Sequence, residues 1–444
     1  MRVLIVGGGG REHALLWALH RDAPDGSFFC LPGNAGTATL ATNLPGSATD
    51  LEAIIAAAKA KKVDLVVVGP EQPLADGLAD RLAKQGIAVF GPSAAAARIE
   101  ASKSYAKKLM QKAGIPTPRA ESFTDLSSAL RFIGSMGEPL VVKASGLAAG
   151  KGAVVCKTKT EARTAATSML REGALGQAGA EILIEEFIPG EELSVLAITD
   201  GEHFAVLPPA QDHKRIGEGD KGPNTGGMGA YCPVSLATDD LLERAAGEVF
   251  KPILKALKSD GAPYRGVLYA GLMLRESDGA LSVIEFNCRF GDPEAQAILS
   301  AIPSGLLPVL RMIAEGGWMP GGMRLGAAKC ASVTTVLAAE GYPAAPKTGA
   351  EIKIPKGLDG TAGLHIFHAG TALDEKGKLR VAGGRVLSVT ATGPDVATAA
   401  AKSRDAAEAI QFQGKQFRKD IGWREIARSE ASGTSEHVER AKTR

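Results

Sequence analysis

Glu285 and Asn287 sit two residues apart in VIEFNCRFGDPE, within an apolar run that reads as a β-strand. Alternation along a strand puts both side chains on one face. A carboxylate and an amide oxygen are hard donors suited to Mg²⁺ that bridges nucleotide phosphates. Arg289 shares that face if the strand continues, and its guanidinium could stabilise charge on a transferring phosphoryl group. A structural salt bridge is the plainer account. Three polar side chains on one face of an apolar strand weigh against it.

Three other stretches carry complementary chemistry. VVKASGLAAGKG puts Lys143 on a strand and Lys151 on a loop with Gly150. Glycines there let backbone N–H groups approach phosphate oxygens, and lysine adds a point charge. The loop is not a P-loop, because three residues separate Gly146 from Gly150 and no Ser or Thr follows Lys151. A plain hairpin with surface lysines is the competing account. IEEFIPGEE ends a strand at Glu185 and Phe187 and reverses toward Glu192. Backbone at a strand end can bond an adenine edge, and Glu192 could accept from ribose hydroxyls; a solvated acidic turn is the alternative. QDHKRIGEGDKGPNTGGMGAY (211–231) reads as one long loop, functional or wholly solvated. Its Asp212 and Lys214 are candidate contacts for a small zwitterion.

The opening MRVLIVGGGGREH runs a strand into four glycines. A dinucleotide site needs G-x-G-x-x-G and an acid at the end of the second strand. Here Gly7-x-Gly9-x-x is followed by Glu12, and the second strand ends in CLPGN. The glycines allow close backbone approach to something smaller, such as a phosphorylated sugar. A tight strand-to-helix turn is the alternative.

The elements that must position these groups are legible in outline. Apolar runs 3–6, 27–31, 63–71 and 87–93 alternate with helical stretches, which predicts a doubly wound parallel sheet. From about 103 the texture changes to a helix, a strand–glycine loop–strand unit, a helix (161–171) and the strand 182–188. A helix over 239–258 and strands over 266–275 and 282–287 follow. A last section of short strands spans about 326–425. His365 and His368 would point to opposite faces of a strand with no third ligand near, so a packing role is expected. His13 has either a packing role at the helix start or a place near the sugar.

The 444 residues are 45% hydrophobic and 23% charged, with a formal net charge of +2, so broad nucleic-acid or membrane-surface binding gains no support. The five scattered cysteines form no C-x-x-C and fit a reducing compartment. No run approaches the ~18 apolar residues of a membrane span, and no signal peptide is evident. A cytoplasmic enzyme is expected.

The lysine-bearing glycine loop, the EEF hinge and the E-x-N strand, in this order, resemble the ATP-grasp superfamily. GGGGREH, PGNAGT, GPE, GLAAGKG, AQDHKR, GPNTGGMGAY, EFNCRFGDPE, FHAGT and RKDIG resemble, within it, the phosphoribosylamine–glycine ligase family of purine biosynthesis, from Met1 to about 425. The resemblance implies a multidomain α/β and α+β chain. A phosphosugar-binding Rossmann-like domain would span 1–102. An ATP-grasp core would follow over 103–325, with a lid at about 120–190, then a small mixed α/β domain over 326–428 and a flexible tail over 429–444.

It also implies a reaction of ATP, glycine and 5-phosphoribosylamine through a glycyl phosphate, with Mg²⁺ or Mn²⁺ as cofactor. By position, Glu285 and Asn287 would hold the metal. Lys103, Lys143, Gly150 and Lys151 would meet ATP phosphates, and Glu185, Phe187 and Glu192 would frame adenine and ribose. Asp212, Lys214 and Arg289 would face glycine and the acyl phosphate; Gly9, Arg11, Glu12, Asn34 and Glu71 would help hold the phosphosugar. The expected partners are these small molecules, with no nucleic acid and no membrane. The expected form is a monomer in transient contact with the preceding pathway enzyme, because phosphoribosylamine is labile. Ser145 stands where the family pattern usually has Asp. The rival readings are another ligase of the same fold, an NAD-dependent oxidoreductase and a non-catalytic nucleotide-binding regulator.

Overall fold

The computed structural model describes residues 1–148, 150, 152–320, 325 and 328–431. Lys151 of the glycine loop and the tail from 432 lie outside the described residues. A helix over 423–431 carries the described chain past residue 428.

The first sheet is parallel, as expected. Its five strands are Arg2–Gly7, Ser27–Pro32, Thr42–Asn43, Leu65–Val68 and Val89–Phe90. Arg2–Gly7 lies centrally between Ser27–Pro32 and Leu65–Val68. The runs VLIV and LVVV are buried throughout, as strands covered on both faces must be. Strand order reverses between Arg2–Gly7 and Leu65–Val68, so their C-terminal ends open a crevice.

Two antiparallel four-stranded sheets follow. One comprises Ala120–Phe123, Ile182–Glu186, Leu140–Ala144 and Ala153–Cys156 in that spatial order. Helices Leu126–Ser135 and Lys159–Leu170 cover it and close a separate small core. The other comprises Phe204–Val206, Gly190–Thr199, Gly266–Arg275 and Leu281–Asn287. Its register shifts at Ile284: Val283 pairs with Leu272, Glu285 with Gly271, and Ile284 is left over. Such a bulge frees a carbonyl and re-aims the residues after it.

The expected helix over 239–258 is interrupted. Asp239–Arg244 and Lys251–Ser259 are α-helical, and Ala245–Phe250 between them is a π-helical stretch. Pro252, which has no N–H and crowds the turn before it, sits at the second junction.

The 211–231 stretch is not one long loop. Gln211–Asp212 and Gly229–Cys232 pair with each other. Gly229–Cys232 then pairs with Ala331–Ala338, which leads on to Arg385–Gly393 and Leu364–His368. Between those two strands, Arg215–Gly217 and Lys221–Asn224 form a hairpin. Charge and glycine density concealed these strands, because each is only two to four residues long. Helix Val396–Ala409 packs on this last sheet through its alanine-rich face. Among the described residues no single helix is long and apolar enough to cross a membrane.

Candidate active site

A cleft of about 420 Å³ lies where these sheets meet, lined from the N-terminal crevice to the C-terminal sheet. Arg11, Glu71, Lys103, Lys143, Gly150, Asp212, Lys214, Glu285, Asn287 and Arg289 all line it. Residues far apart in sequence thus converge on one space.

Glu285 and Asn287 enter from the end of Leu281–Asn287, on the same face, as alternation requires. Burial opposes ionisation of Glu285. The charges of Lys214, Lys143, Lys103 and Arg289 outweigh it and hold the carboxyl below its ordinary range. An ionised carboxylate beside an amide oxygen fits a divalent cation that takes its other ligands from phosphates and water. Among the described residues no group of three or more His, Cys, Asp or Glu side chains is placed to hold a metal by itself. This pair therefore suits a metal brought in with nucleotide.

Lys143 stands on Leu140–Ala144 and donates to the bulged carbonyl of Ile284 at 3.0 Å. Its ammonium also pairs with Glu185. Glu185 is buried, and its other oxygen accepts from Lys107 at 2.9 Å. Burial raises the Glu185 carboxyl, but the two lysines overcome this and keep it ionised. Lys107 is saturated, with Thr117 Oγ1 at 2.6 Å and the Pro118 carbonyl at 3.2 Å as further acceptors. The Glu185 side chain is thus turned inward as a clamp between lysines and does not line the cleft, unlike the adenine-framing position expected for it. Phe187, half-buried just after that strand, is also outside the lining.

Lys103 opens helix Lys103–Lys112, capped by Ser102, and donates to the Gly146 carbonyl at 3.2 Å. Ser145 stitches the same junction. Its carbonyl accepts from Lys103 N–H at 2.8 Å, and its hydroxyl accepts from Ser104 N–H at 3.2 Å. The hydroxyl at 145 therefore serves the start of this helix.

Lys214 bonds Asp212 at 3.1 Å and pairs with Glu192. Glu192 is thereby held behind Lys214 and is not itself part of the lining. Burial, with Asp212 and Glu285 nearby, raises its carboxyl to about 7 against the pull of Lys214. Arg289 lies just beyond the strand end. It is fixed by Glu71 at 3.1 Å and Glu100 at 2.8 Å. Burial opposes ionisation of Glu71, yet Arg289 and Arg11 bring its carboxyl down to about 2.

The four glycines hold something unforeseen. A Cβ on Gly7, Gly9 or Gly69 would fall 2.1–2.7 Å from the Glu12 side chain. A Cβ on Gly8 would meet the Gly33 carbonyl at 2.5 Å. Glu12 accepts from Gly9 N–H at 2.6 Å and from Arg11 Nε at 2.6 Å, so the start of helix Gly10–Asp22 is already capped by its own carboxylate. Asn34 uses its whole amide: Nδ2 donates to the Gly8 and His368 carbonyls, and Oδ1 accepts from Gly36 and Thr37 N–H. Of the five residues expected near the phosphosugar, Arg11 and Glu71 line the cleft; Gly9, Glu12 and Asn34 do not. The His13 and His368 rings pack against each other at a tilt, and His13 Nδ1 accepts from the His368 N–H at 2.9 Å. His365 packs near Trp17. All three serve packing.

Five charged cleft residues escaped the sequence reading: Glu100, Lys107, Asp292, Glu294 and Arg385. Lys107 lies one turn after Lys103 on the same helix, and Asp292 and Glu294 belong to the GDPE already in view, so spacing could have flagged them. Glu294 accepts from Ser194 Oγ at 3.0 Å and Tyr269 OH at 3.1 Å, and burial with Asp212 nearby raises its carboxyl. Arg385 had no sequence signal. It reaches over from the last sheet to Asp292 Oδ2 at 2.9 Å and the Asp292 carbonyl at 2.7 Å.

The chain matches the phosphoribosylglycinamide synthetase N domain over residues 1–100, the ATP-grasp (A) domain over 101–295 and the C domain over 332–424. It is 45% identical over 437 residues to a phosphoribosylamine–glycine ligase of Brucella melitensis, covering 97% of this chain and 100% of the relative. It is 47% identical over 430 residues to a trifunctional purine biosynthetic protein adenosine-3 of Gallus gallus; that alignment covers 96% of this chain and 42% of the relative's length. The crystal structure of phosphoribosylamine–glycine ligase from Thermotoga maritima superposes with a TM-score of 0.83 at 36% identity, covering 95% of this chain and all of that one. A biotin carboxylase from Campylobacter jejuni shares the fold, with a TM-score of 0.73 at 17% identity over 95% of this chain and 93% of its own. An N-terminal parallel sheet, an ATP-grasp core and a C-terminal domain are thus found together in relatives aligned over their whole length, and the chain belongs to the phosphoribosylglycinamide synthetase family.

Proposed function

We propose that the chain ligates glycine to 5-phosphoribosylamine with consumption of ATP, giving glycinamide ribonucleotide, ADP and phosphate in purine biosynthesis. The observation that carries this reading is the convergence of Glu285, Asn287, four lysines and Arg289 on one cleft in a chain of this family. A glycine carboxylate oxygen attacks the γ-phosphorus, and the bond to the β–γ bridging oxygen breaks to release ADP. The amine nitrogen then attacks the glycyl carbonyl carbon, loses a proton and expels phosphate. No side chain has to become covalently bound, so the protein acts by positioning and charge stabilisation.

In this reading Glu285 and Asn287 would hold Mg²⁺ or Mn²⁺, which would neutralise charge on the phosphates. Lys103 and Lys143, with Gly150 and Lys151 of the glycine loop, bind ATP phosphates. Phe187 meets adenine through its backbone, and Glu192 meets ribose once Lys214 turns to the acyl phosphate. Asp212 takes the glycine ammonium, Arg289 stabilises transferring charge, and Arg11 and Glu71 border the phosphosugar. Gly9, Glu12 and Asn34 shape that end of the cleft from behind.

The domains divide at 102 and 325, with a lid over about 120–190 and a third domain to 428. The enzyme works in the cytoplasm as a monomer, in transient contact with the enzyme that supplies the labile amine. An oxidoreductase reading lacks its ribose acid, since the second strand ends in Leu31-Pro32. The test is ADP release from ATP and Mg²⁺, with phosphoribosylamine formed in situ from ribose 5-phosphate and ammonia. Turnover that needs all three substrates is expected. ATP binding without ADP release under any combination would overturn the reading in favour of a regulator.

A further inference from the structure

The hairpin between Asp212 and Gly229 has almost no apolar support. None of residues 214–224 is buried, and its two strands are three and four residues long. A segment of that kind belongs to the least stable part of a fold unless polar contacts fix it. Yet it begins with Lys214 and ends with Asn224 and Thr225, all in the cleft wall. Its position has to be set from outside.

The contacts that fix its two strands come from one short segment far along the chain, the RKDIG motif at 418–422 and Arg424 after it, while Gly226 beyond them is held by Tyr342 OH, which accepts from its N–H at 2.9 Å, and by Arg385, which donates to its carbonyl. The Arg418 side chain is completely buried. Its fork binds both oxygens of Asp420 at 2.8 Å. Its remaining nitrogen reaches the hairpin at Asp220 Oδ1, 2.7 Å, and at the Arg215 carbonyl, 3.2 Å. Asp420 accepts from the Gly219 N–H at 2.8 Å, and Arg424 holds the second oxygen of Asp220 at 2.5 Å. The Gly422 N–H donates at 3.0 Å to Nε2 of His213, the residue between Asp212 and Lys214. Asp220 itself has φ +56°, a left-handed conformation that a non-glycine residue holds only when its surroundings impose it.

We infer that Arg418 is a positioning residue for the glycine side of the site: through Asp220 and the hairpin it sets Lys214, and with it Asp212. It touches no substrate. A buried guanidinium satisfied by two carboxylates and a carbonyl is a rigid fork, which a lysine cannot reproduce. This inference rests on the ligase reading. Turnover by the wild-type enzyme tests that reading, and the variants below test the inference alone.

The experiment is steady-state kinetics on the full chain, with KM measured separately for glycine and ATP, beside thermal melting. Arg418→Lys and Asp220→Asn are the variants. Asparagine tolerates the left-handed backbone at 220, so that substitution removes only the charge. A small misplacement of a substrate-holding group costs up to about 100-fold. We expect KM for glycine to rise about tenfold or more in each variant, KM for ATP to stay within about twofold, and the double variant to be no worse than the poorer single one. Folded variants with wild-type KM for glycine would overturn the inference. So would equal changes in both KM values, or a fall in kcat alone that tracks melting temperature, because either would reduce Arg418 to scaffold. Should Arg418→Lys not fold, Asp220→Asn decides by the same criteria.

Discussion

Glu185→Gln is the substitution that probes the site most sharply, because it changes one charge and almost no volume. The wild-type carboxylate lies between Lys143 and Lys107, with both lysines and the glutamate nearly or fully shielded from water. Glutamine can still accept from one ammonium through its oxygen. Its NH₂ then faces the other ammonium, donor against donor. Lys107 keeps Thr117 and the Pro118 carbonyl, and Lys143 keeps the Ile284 carbonyl. Neither retains an opposite charge in contact. Leaving a buried charge without its partner costs about 3–5 kcal/mol. That is a large fraction of the roughly 5–15 kcal/mol that holds a typical protein folded. In the cleft, Lys143 is expected to shift or lose its proton, and each 1.4 kcal/mol of lost ATP binding raises KM about tenfold. Urea unfolding followed by fluorescence and circular dichroism gives the stability change; KM for ATP gives the functional one. We expect a loss of at least about 3 kcal/mol in the unit built on the sheet that contains Leu140–Ala144, and a KM for ATP at least about tenfold higher. A variant within about 1 kcal/mol of wild type with unchanged KM would refute the reasoning, since it would mean that one of the two lysines is already neutral.

Other outcomes can be checked independently. Glu285→Ala should lower kcat far more than it weakens glycine, and near-normal kcat at saturating Mg²⁺ would remove Glu285 from the metal site. Arg385→Ala should raise KM for the phosphosugar about tenfold with little change for ATP, measured with phosphoribosylamine formed in situ, because Arg385 shapes the Asp292 end of the cleft. The Glu71 carboxyl, at about 2 when folded, contributes stability that is fully present above the ordinary carboxylate pKa near 4.5 and lost as pH falls toward 2. Glu71→Gln should therefore flatten part of the acid limb of the stability–pH curve, and an unchanged limb would refute the pairing with Arg289. Asp212→Asn should raise KM for glycine while leaving KM for ATP near wild type.

Much of this was legible in short-range pattern. Runs of Val, Ile and Leu gave away the parallel sheet, and alternation placed Glu285 and Asn287 on one face before any fold was known. What pattern could not supply was direction at a distance. Glu185 and Glu192 look alike in IEEFIPGEE, yet one turns into a lysine clamp and the other leans behind Lys214, because the lysines that select them come from other elements. From sequence alone the four glycines point to something admitted from outside. Gly7 and Gly9 make room for Glu12, a close neighbour along the chain, and Gly8 for the Gly33 carbonyl. Arg385 was invisible because nothing local in GGRVLSV distinguishes it from a surface arginine. The hairpin formed by Arg215–Gly217 and Lys221–Asn224 was hidden for a related reason: its order comes from Arg418 and Asp420, on the far side of the sequence.

The pairing of Gly229–Cys232 with Ala331–Ala338 has a consequence for how the chain can be cut. The family's middle segment ends at 295 and its last begins at 332, which invites expression of the two as separate pieces. Separation there would unzip a sheet. The middle piece would carry Gln211–Asp212 and Gly229–Cys232 with one side unpaired, and the last piece would expose the flank of Ala331–Ala338, a fully buried strand of eight residues. Open edges of that kind seek new partners and promote aggregation. The two pieces should therefore be recovered soluble together, as complementing fragments, and poorly when made apart.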